Sequence, residues 1–403
     1  MSAVQESSTD EHPSGRRQRA VGLSDRLRLR RLPHRSDGPA DSEAQPGQSN
    51  SAGTSPAEVT TDSSAATPRV PLSARAYLYG WRALRALPAS QAYFLAAAAA
   101  DATWRRRGVG VRRLEANLAA VGVEPAAIPQ MSKAALRSYL RYWCEVFRIS
   151  TWSREQVLAS VRVEGDAPVR EALAEGKGVV FALAHQGNWD LAGAWSVYDL
   201  GPVTTVAERL EPAEVYQSFL EVRQQLGMTV HPLGEPGLVG ELCRALKDGH
   251  IVALLADRDL TGSGAQADLC GHQARVASGP AVLADLTAAP LVPVTIIYEK
   301  VAVDADGWPE SGYRTVITFH PRVDLGTGTR HERVRTGVEG VAAALGAGIA
   351  ATPADWHMLQ PVFAEDLYRE ADSRRSARSR HGAARRAAGD RAVPRRARLG
   401  RRR

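Results

Sequence analysis

The chain has 403 residues, with 51 Lys and Arg against 44 Asp and Glu and a formal net charge of +7. That length holds one large domain or two ordinary ones. Thirteen arginines face two aspartates between residues 371 and 403, so the rest of the chain is net acidic and does not read as a polycationic body for nucleic acid.

Residues 1–70 are rich in Ser, Pro, Gly, Asp, Thr and Arg without hydrophobic periodicity, and their nine arginines balance nine acidic residues. Such a segment cannot bury enough apolar area to offset the entropy of ordering it, so a disordered tail is expected. No stretch reaches the ~20 apolar residues that a membrane-spanning helix requires. The best candidate, Ala92 to Ala100, is nine residues long and stops at Asp101. The N-terminus does not read as a secretory leader, because acidic residues come early without an apolar core. Cys144, Cys243 and Cys270 are scattered and odd in number. They fit a reducing compartment, not a disulfide framework or a metal cluster.

Residues 71–130 read as a basic helical region. In RAYLYGWRALRAL, Tyr77, Trp81 and Leu84 recur at i, i+4 and i+7, while Arg75 and Arg82 share the opposite face. The pattern predicts an amphipathic helix, either packed on a core or lying in a membrane interface. Residues 131–149 predict another helix, rich in large apolar groups. From there to residue 367 strands and helices alternate. VVFALA (179–184), VTTVA (203–207), TVHPL (229–233), IVALLA (251–256), LVPVTIIYE (291–299) and RTVITFHP (314–321) read as strands. Helices are expected from near Trp189, between Pro212 and Gly227, across 237–248 and from about Gly279. Unbroken apolar strands alternating with helices predict a single α/β domain, its mixed, mostly parallel sheet flanked by helices. Residues 368–403 are expected to be an Arg-rich disordered tail, suited to nucleic acid, to anionic lipid or to no partner of its own.

In open α/β sheets the chemistry gathers at the carboxyl ends of the strands. Three strands here end in polar residues: VVFALA in His185, VTTVA in Glu208-Arg209, and IVALLA in Asp257-Arg258-Asp259. His185 and Asp190 are five residues apart, the wrong spacing for two metal ligands on one helix face. The spacing suits a histidine just past a strand and a carboxylate in the first turn of the next helix. Gly187 lets the backbone turn and Asn188 is a good cap. Asp190 is then expected to hold one imidazole nitrogen of His185, leaving the other to take a proton from an alcohol. There is no G-x-S-x-G, which favours direct attack by a substrate hydroxyl over a covalent enzyme intermediate.

The stretch GKGVVFALAHQGNWDLAG is followed in order by ERLEP, LLADRDL, ARVASGPAVLA and DWHMLQPVF. These blocks resemble the bacterial lipid A biosynthesis acyltransferase family, and within it the actinobacterial phosphatidylinositol mannoside branch, over residues 72–367. The resemblance implies that His185 is the general base, that Asp190 orients it, and that Asp259 or Asp257 supplies an acidic group nearby. Glu208 and Arg258 would face the same centre, with Arg223 and Arg275 as candidates for CoA phosphates. It implies a long-chain acyl-CoA donor, palmitoyl by expectation, and a mannose 6-hydroxyl of mono- or dimannosylated phosphatidylinositol as acceptor. No cofactor, metal or dedicated nucleic-acid partner is expected. The location implied is peripheral, on the cytoplasmic side of the cell membrane and in contact with its anionic surface. The amphipathic helix bearing Tyr77, Trp81 and Leu84, in the membrane-interfacial region 71–130, is therefore expected to lie in the membrane interface. Rival readings are another glycolipid acceptor, a metal-dependent hydrolase using His185, Asp190, Asp257, Asp259 and His272, and a nucleic-acid binder built on the Arg tail.

Overall fold

The computed structural model describes residues 72–365 and 367, apart from 210 and 260, so both expected tails lie outside the described residues. Helices α1 (Leu72–Ala86), α2 (Ala89–Arg106), α3 (Val109–Ala120) and α4 (Ile128–Arg148) come first. The alternating part follows as α5 (Arg154–Ala159), β1 (Val161–Glu164), α6 (Ala167–Ala174), β2 (Val179–Leu183), α7 (Trp189–Asp199) and β3 (Val203–Ala207). It continues through α8 (Ala213–Gln225), β4 (Thr229–Pro232), α9 (Leu238–Lys247) and β5 (Ile251–Leu255). A hairpin of β6 (Ala265–Leu269) and β7 (His272–Val276) precedes α10 (Gly279–Thr287), β8 (Leu291–Lys300), β9 (Tyr313–Phe319) and α11 (Arg330–Ala351).

Seven strands form one sheet in the order β1-β9-β8-β2-β5-β3-β4. Every neighbouring pair is parallel except β8 with β9. The mixed, mostly parallel α/β sheet expected from the sequence is therefore what forms. All five residues of β2 are buried, as a strand covered on both faces must be. Val179, Phe181 and Leu183 enter one core with Trp195 of α7 and Phe219 of α8. Val180 and Ala182 enter the other, with Leu242 of α9, Leu283 of α10 and Leu345 of α11. Gly227 and Gly249, both with positive φ, end the turns after α8 and α9, where a left-handed residue closes a helix at no steric cost.

Elements without a clear apolar period escape the sequence pattern. The strands β6 (AQADL) and β7 (HQARV) carry charges on their outward positions, and α11 has glycines at 337, 340, 346 and 348. Those glycines have a packing reason: a Cβ at Gly346 would meet the backbone nitrogen of Cys270 at 3.0 Å, and one at Gly348 would run into Thr295 of β8.

The interfacial face expected of α1 is corrected. Trp81 is 6% exposed, donates its indole N–H to the carbonyl of Phe147 at 3.1 Å, and packs at a tilt 4.9 Å from the Phe147 ring and 5.4 Å from Phe219. Leu84 packs against the same core. The apolar stripe of α1 thus faces protein, because α4 and α8 offer an aromatic surface that buries it. The side chains of Arg75 and Tyr77 lie outside the described residues. No described helix is long and apolar enough to cross a membrane.

Candidate active site

The strand β2 delivers His185 two residues beyond its last paired position, at the carboxyl edge of the sheet. Leu183 pairs with Leu255 of β5 in parallel register, so His185 comes level with Asp257. Its backbone N–H donates to Asp257 Oδ2 at 3.0 Å, and its Nδ1 lies 2.7 Å from Asp257 Oδ1. The indole of Trp356 donates to the same Oδ2 at 2.8 Å. Asp257 is fully buried. Burial opposes its charge, but the His185 imidazole, its ring N–H and the other two donors outweigh that and hold the carboxyl below its ordinary range. An ionised carboxylate accepts only, so Nδ1 carries the proton and Nε2 keeps its lone pair in the neutral ring. The Trp189 indole meets the imidazole edge-on, 5.6 Å between centroids.

Asp190 does not hold His185, and that expectation is corrected. It occupies the first turn of α7, as the spacing predicted, but turns inward and is 3% exposed. Arg223 of α8 clamps it with two hydrogen bonds, 2.6 and 3.2 Å long, and the Tyr142 hydroxyl donates to it at 2.8 Å. Arg223 is thereby committed to a protein carboxylate, which removes it as a CoA-phosphate ligand. The local turn is as expected: Gly187 has φ +60, and a Cβ there would strike the carbonyl of Ile296. Asn188 accepts from the Leu191 N–H at 2.9 Å as the cap, and its amide donates to buried Glu145 at 2.8 Å. Tyr298 donates to the same Glu145 oxygen at 2.6 Å. Burial pushes the Glu145 carboxyl up, against Arg141 and these donors.

Asp259 belongs to a neighbouring loop, not to the imidazole. It accepts from the N–H groups of Thr261 and Gly262 at 2.9 and 3.0 Å and lies 3.5 Å from Arg275. Arg275 in turn donates to the carbonyls of Gly262 and Gly264, so this pair shapes the loop after β5. Glu208 and Arg258 do stand with His185 in the wall of one cavity. Burial raises the Glu208 carboxyl, offset by Arg258 and His185, while burial lowers Arg258 against Asp257 and Glu208. Arg258 Nε is buried without a protein partner. The five residues of the hydrolase reading do not converge: His272 packs on Phe363, and no described group of three or more His, Cys, Asp or Glu could hold a metal.

Sequence reasoning assigned no role to His357 beyond its place in DWHMLQPVF. Its N–H bonds the His185 carbonyl at 2.8 Å, and its ring lies in the same cavity wall. Ser138 donates to Asp355 at 2.7 Å and sits 3.1 Å from His357 Nε2. Nε2 is therefore the N–H donor, and Nδ1 is a buried acceptor without a protein donor. Burial, Arg141 and His185 hold this ring well below the ordinary histidine range, hence neutral. The position after a strand marked His185; no local pattern marks a histidine brought in from a C-terminal loop.

The cavity measures about 850 Å³ and straddles the sheet edge. On one face it runs back beneath α7 and α8 over Leu255, Ala253, Thr205 and Val203; on the other it opens past Leu254 and Val206 toward α9 and α10. The second mouth carries Arg258, Asp259, Thr261, Ser263 and Ser278. The arrangement combines an oriented imidazole, an apolar slot and a polar mouth. It suits proton removal from a hydroxyl beside a long hydrocarbon chain.

The comparisons with known proteins agree with that geometry. Residues 63–365 match the bacterial lipid A biosynthesis acyltransferase family. A protein of Mycolicibacterium smegmatis called phosphatidylinositol mannoside acyltransferase is 40% identical over 316 residues, covering 76% of this chain and 97% of the relative. One of the same name from Mycobacterium tuberculosis (strain CDC 1551 / Oshkosh) is 41% identical over 309 residues, 75% of this chain and 90% of the relative. The expected family is the one found: this chain belongs to the bacterial lipid A biosynthesis acyltransferases.

Proposed function

We propose that this acyltransferase moves a long-chain acyl group, palmitoyl first among them, from acyl-CoA to the mannose 6-hydroxyl of a mono- or dimannosylated phosphatidylinositol. The observation that carries the chemistry is His185, its Nδ1 fixed by Asp257 and its Nε2 left for the cavity. The names of the relatives support the acceptor. His185 Nε2 takes the hydroxyl proton as the oxygen attacks the thioester carbonyl. The tetrahedral centre collapses, the C–S bond breaks, and the imidazolium returns the proton to the leaving thiolate. Asp257 holds the tautomer and stabilises the imidazolium. The neutral His357 ring forms part of the wall beside His185, and Glu208 and Arg258 bind polar groups of the substrates. None of the three cysteines lines the cavity, and burial pushes the Cys144 thiol up to about 12 and Cys270 to about 11. Both features support direct transfer without an enzyme thioester.

The membrane-facing part of the reading moves from Trp81 to α2. Phe94 is 71% exposed, Leu95 48% and, on α1, Tyr79 66%, with exposed Arg105 and Arg106 at the end of α2. These groups supply apolar contact and positive charge to the cytoplasmic leaflet, each cation worth about 1 kcal/mol near an anionic surface. Incubating the full chain with palmitoyl-CoA and phosphatidylinositol mono- or dimannoside should yield a product heavier by one palmitoyl group. Transfer only to a different glycolipid would replace the acceptor, and no transfer from any acyl-CoA would sink the donor. Phe94→Glu should weaken binding to anionic vesicles at every salt concentration, and unchanged binding would remove α2 from the contact.

A further inference from the structure

The apolar arm of the cavity has a floor, and two residues set its position. β3 and β4 run parallel, away from Val203 and Thr229 and toward the edge where Glu208 and His185 stand. Val203 begins β3 and Met228 immediately precedes β4, yet both line the cavity that also holds His185. The arm therefore reaches the amino ends of these strands. From Val203 to Ala207 it follows four residue steps, about 13 Å at ~3.3 Å each. At that depth Met228, 6% exposed, lies against Gly193 of α7. A Cβ on Gly193 would sit 2.7 Å from the Met228 sulfur and 3.4 Å from its terminal methyl, and would meet no other atom within 4 Å apart from its chain neighbours and the nearby backbone of its own helix.

Gly193 is thus the recess that lets the Met228 thioether lie back against α7. Glycine costs a helix interior roughly 1 kcal/mol against alanine, so local helix formation does not favour it. An alanine at 193 fits by displacing the flexible end of Met228. We infer that Gly193 and Met228 together set the length of acyl chain this enzyme accepts. A β-carbon at 193 drives the thioether into the slot and shortens it, whereas truncation of Met228 deepens it. The chain enters this arm because its strand wall is Leu255, Ala253, Val203 and Thr205, whose hydroxyl is spent on the Ala253 carbonyl, beneath α7 and α8. The other mouth, with Arg258, Asp259, Thr261 and Ser263, suits polar substrate groups. The inference rests on the acyl-transfer reading above.

The test compares lauroyl-, palmitoyl- and stearoyl-CoA on the full-length chain, Gly193→Ala and Met228→Ala, with a phosphatidylinositol mannoside as acceptor. Gly193→Ala should move the kcat/KM ratio toward lauroyl by at least about tenfold, and Met228→Ala toward stearoyl by a similar factor, the discrimination a few methylenes afford. Met228→Val repeats the second arm if the alanine variant fails to fold. Variants that turn over with the parent's chain-length profile overturn the gauge while leaving the acyl-transfer reading intact. Tryptophan quenching by the same three thioesters, through Trp143 and Trp189 in the cavity wall, reads the slot without transfer. If the parent transfers nothing, a shift of binding preference in the same two directions still upholds the gauge, and an unchanged preference overturns it.

Discussion

Two buried aspartates stand near His185 and do different things. Asp190 and Asp257 are 3% and 0% exposed, and each accepts three hydrogen bonds. Neither burial nor the number of donors separates them. Their partners do. Asp190 ends on an arginine, always charged, carried by α8. Asp257 ends on an imidazole whose second nitrogen remains for the cavity. The first pair ties the start of α7 to Tyr142 of α4 and Arg223 of α8; the second holds the imidazole of His185 in one tautomer. A carboxylate near a histidine at a strand end is read by the chemistry of its partner, not by its distance along the chain.

That division can be broken most forcefully at His185, which Asp257 holds and Asp190 does not. His185→Ala should lower kcat by about 10²–10⁴-fold with the melting temperature nearly unchanged, measured as acyl transfer beside thermal unfolding. Near-normal turnover would end the general-base assignment. Asp257→Asn should come next, losing about 10²-fold with KM little altered, since an amide cannot stabilise the imidazolium.

Asp190→Asn should sort differently. Removing one partner of a buried ion pair leaves Arg223 uncompensated and costs about 3–5 kcal/mol of stability, while kcat per folded molecule falls less than in Asp257→Asn. If Asp190→Asn melted normally and lost turnover as deeply as Asp257→Asn, the two roles would be reversed. Tyr142→Phe removes one hydrogen bond to the Asp190 carboxylate and should cost about 1.5–3 kcal/mol, readable by denaturant unfolding.

The smallest effect lies in pH. Asp257 titrates below its ordinary range in the fold, so the stability it adds is complete above its unfolded value of about 3.9. That contribution is lost as pH falls through the lower, folded value. Asp257→Asn should therefore flatten the acid limb of the melting curve below about pH 4, and an unchanged limb would assign acid unfolding to other carboxyls.

Much of the fold is legible in the order of residues alone. The apolar runs of β2 and β5 mark strands of a buried sheet, and the cap at Asn188 places α7 correctly. Local spacing also puts Asp190 in the first turn of α7, and there its authority ends. The aromatic stripe containing Trp81 and Leu84 shows an amphipathic helix, but periodicity is the same whether the stripe meets lipid or the rings of Phe147 and Phe219. Only the placement of α4 and α8 decides between them.

The sequence by itself determined which residues are apolar enough to form the sheet, where the strands stop, and that His185 emerges at a strand end. These follow from forces acting over a few residues: alternation, capping and turn sterics. The partner of His185 was a tertiary decision. Asp257 lies 72 positions away in sequence and comes level with the histidine because β2 and β5 are neighbours in parallel register, Leu183 beside Leu255. A shift of one residue would turn Asp257 to the other face of the sheet. Register is set by the packing of two whole layers of helices, and no local stretch of chain carries that information.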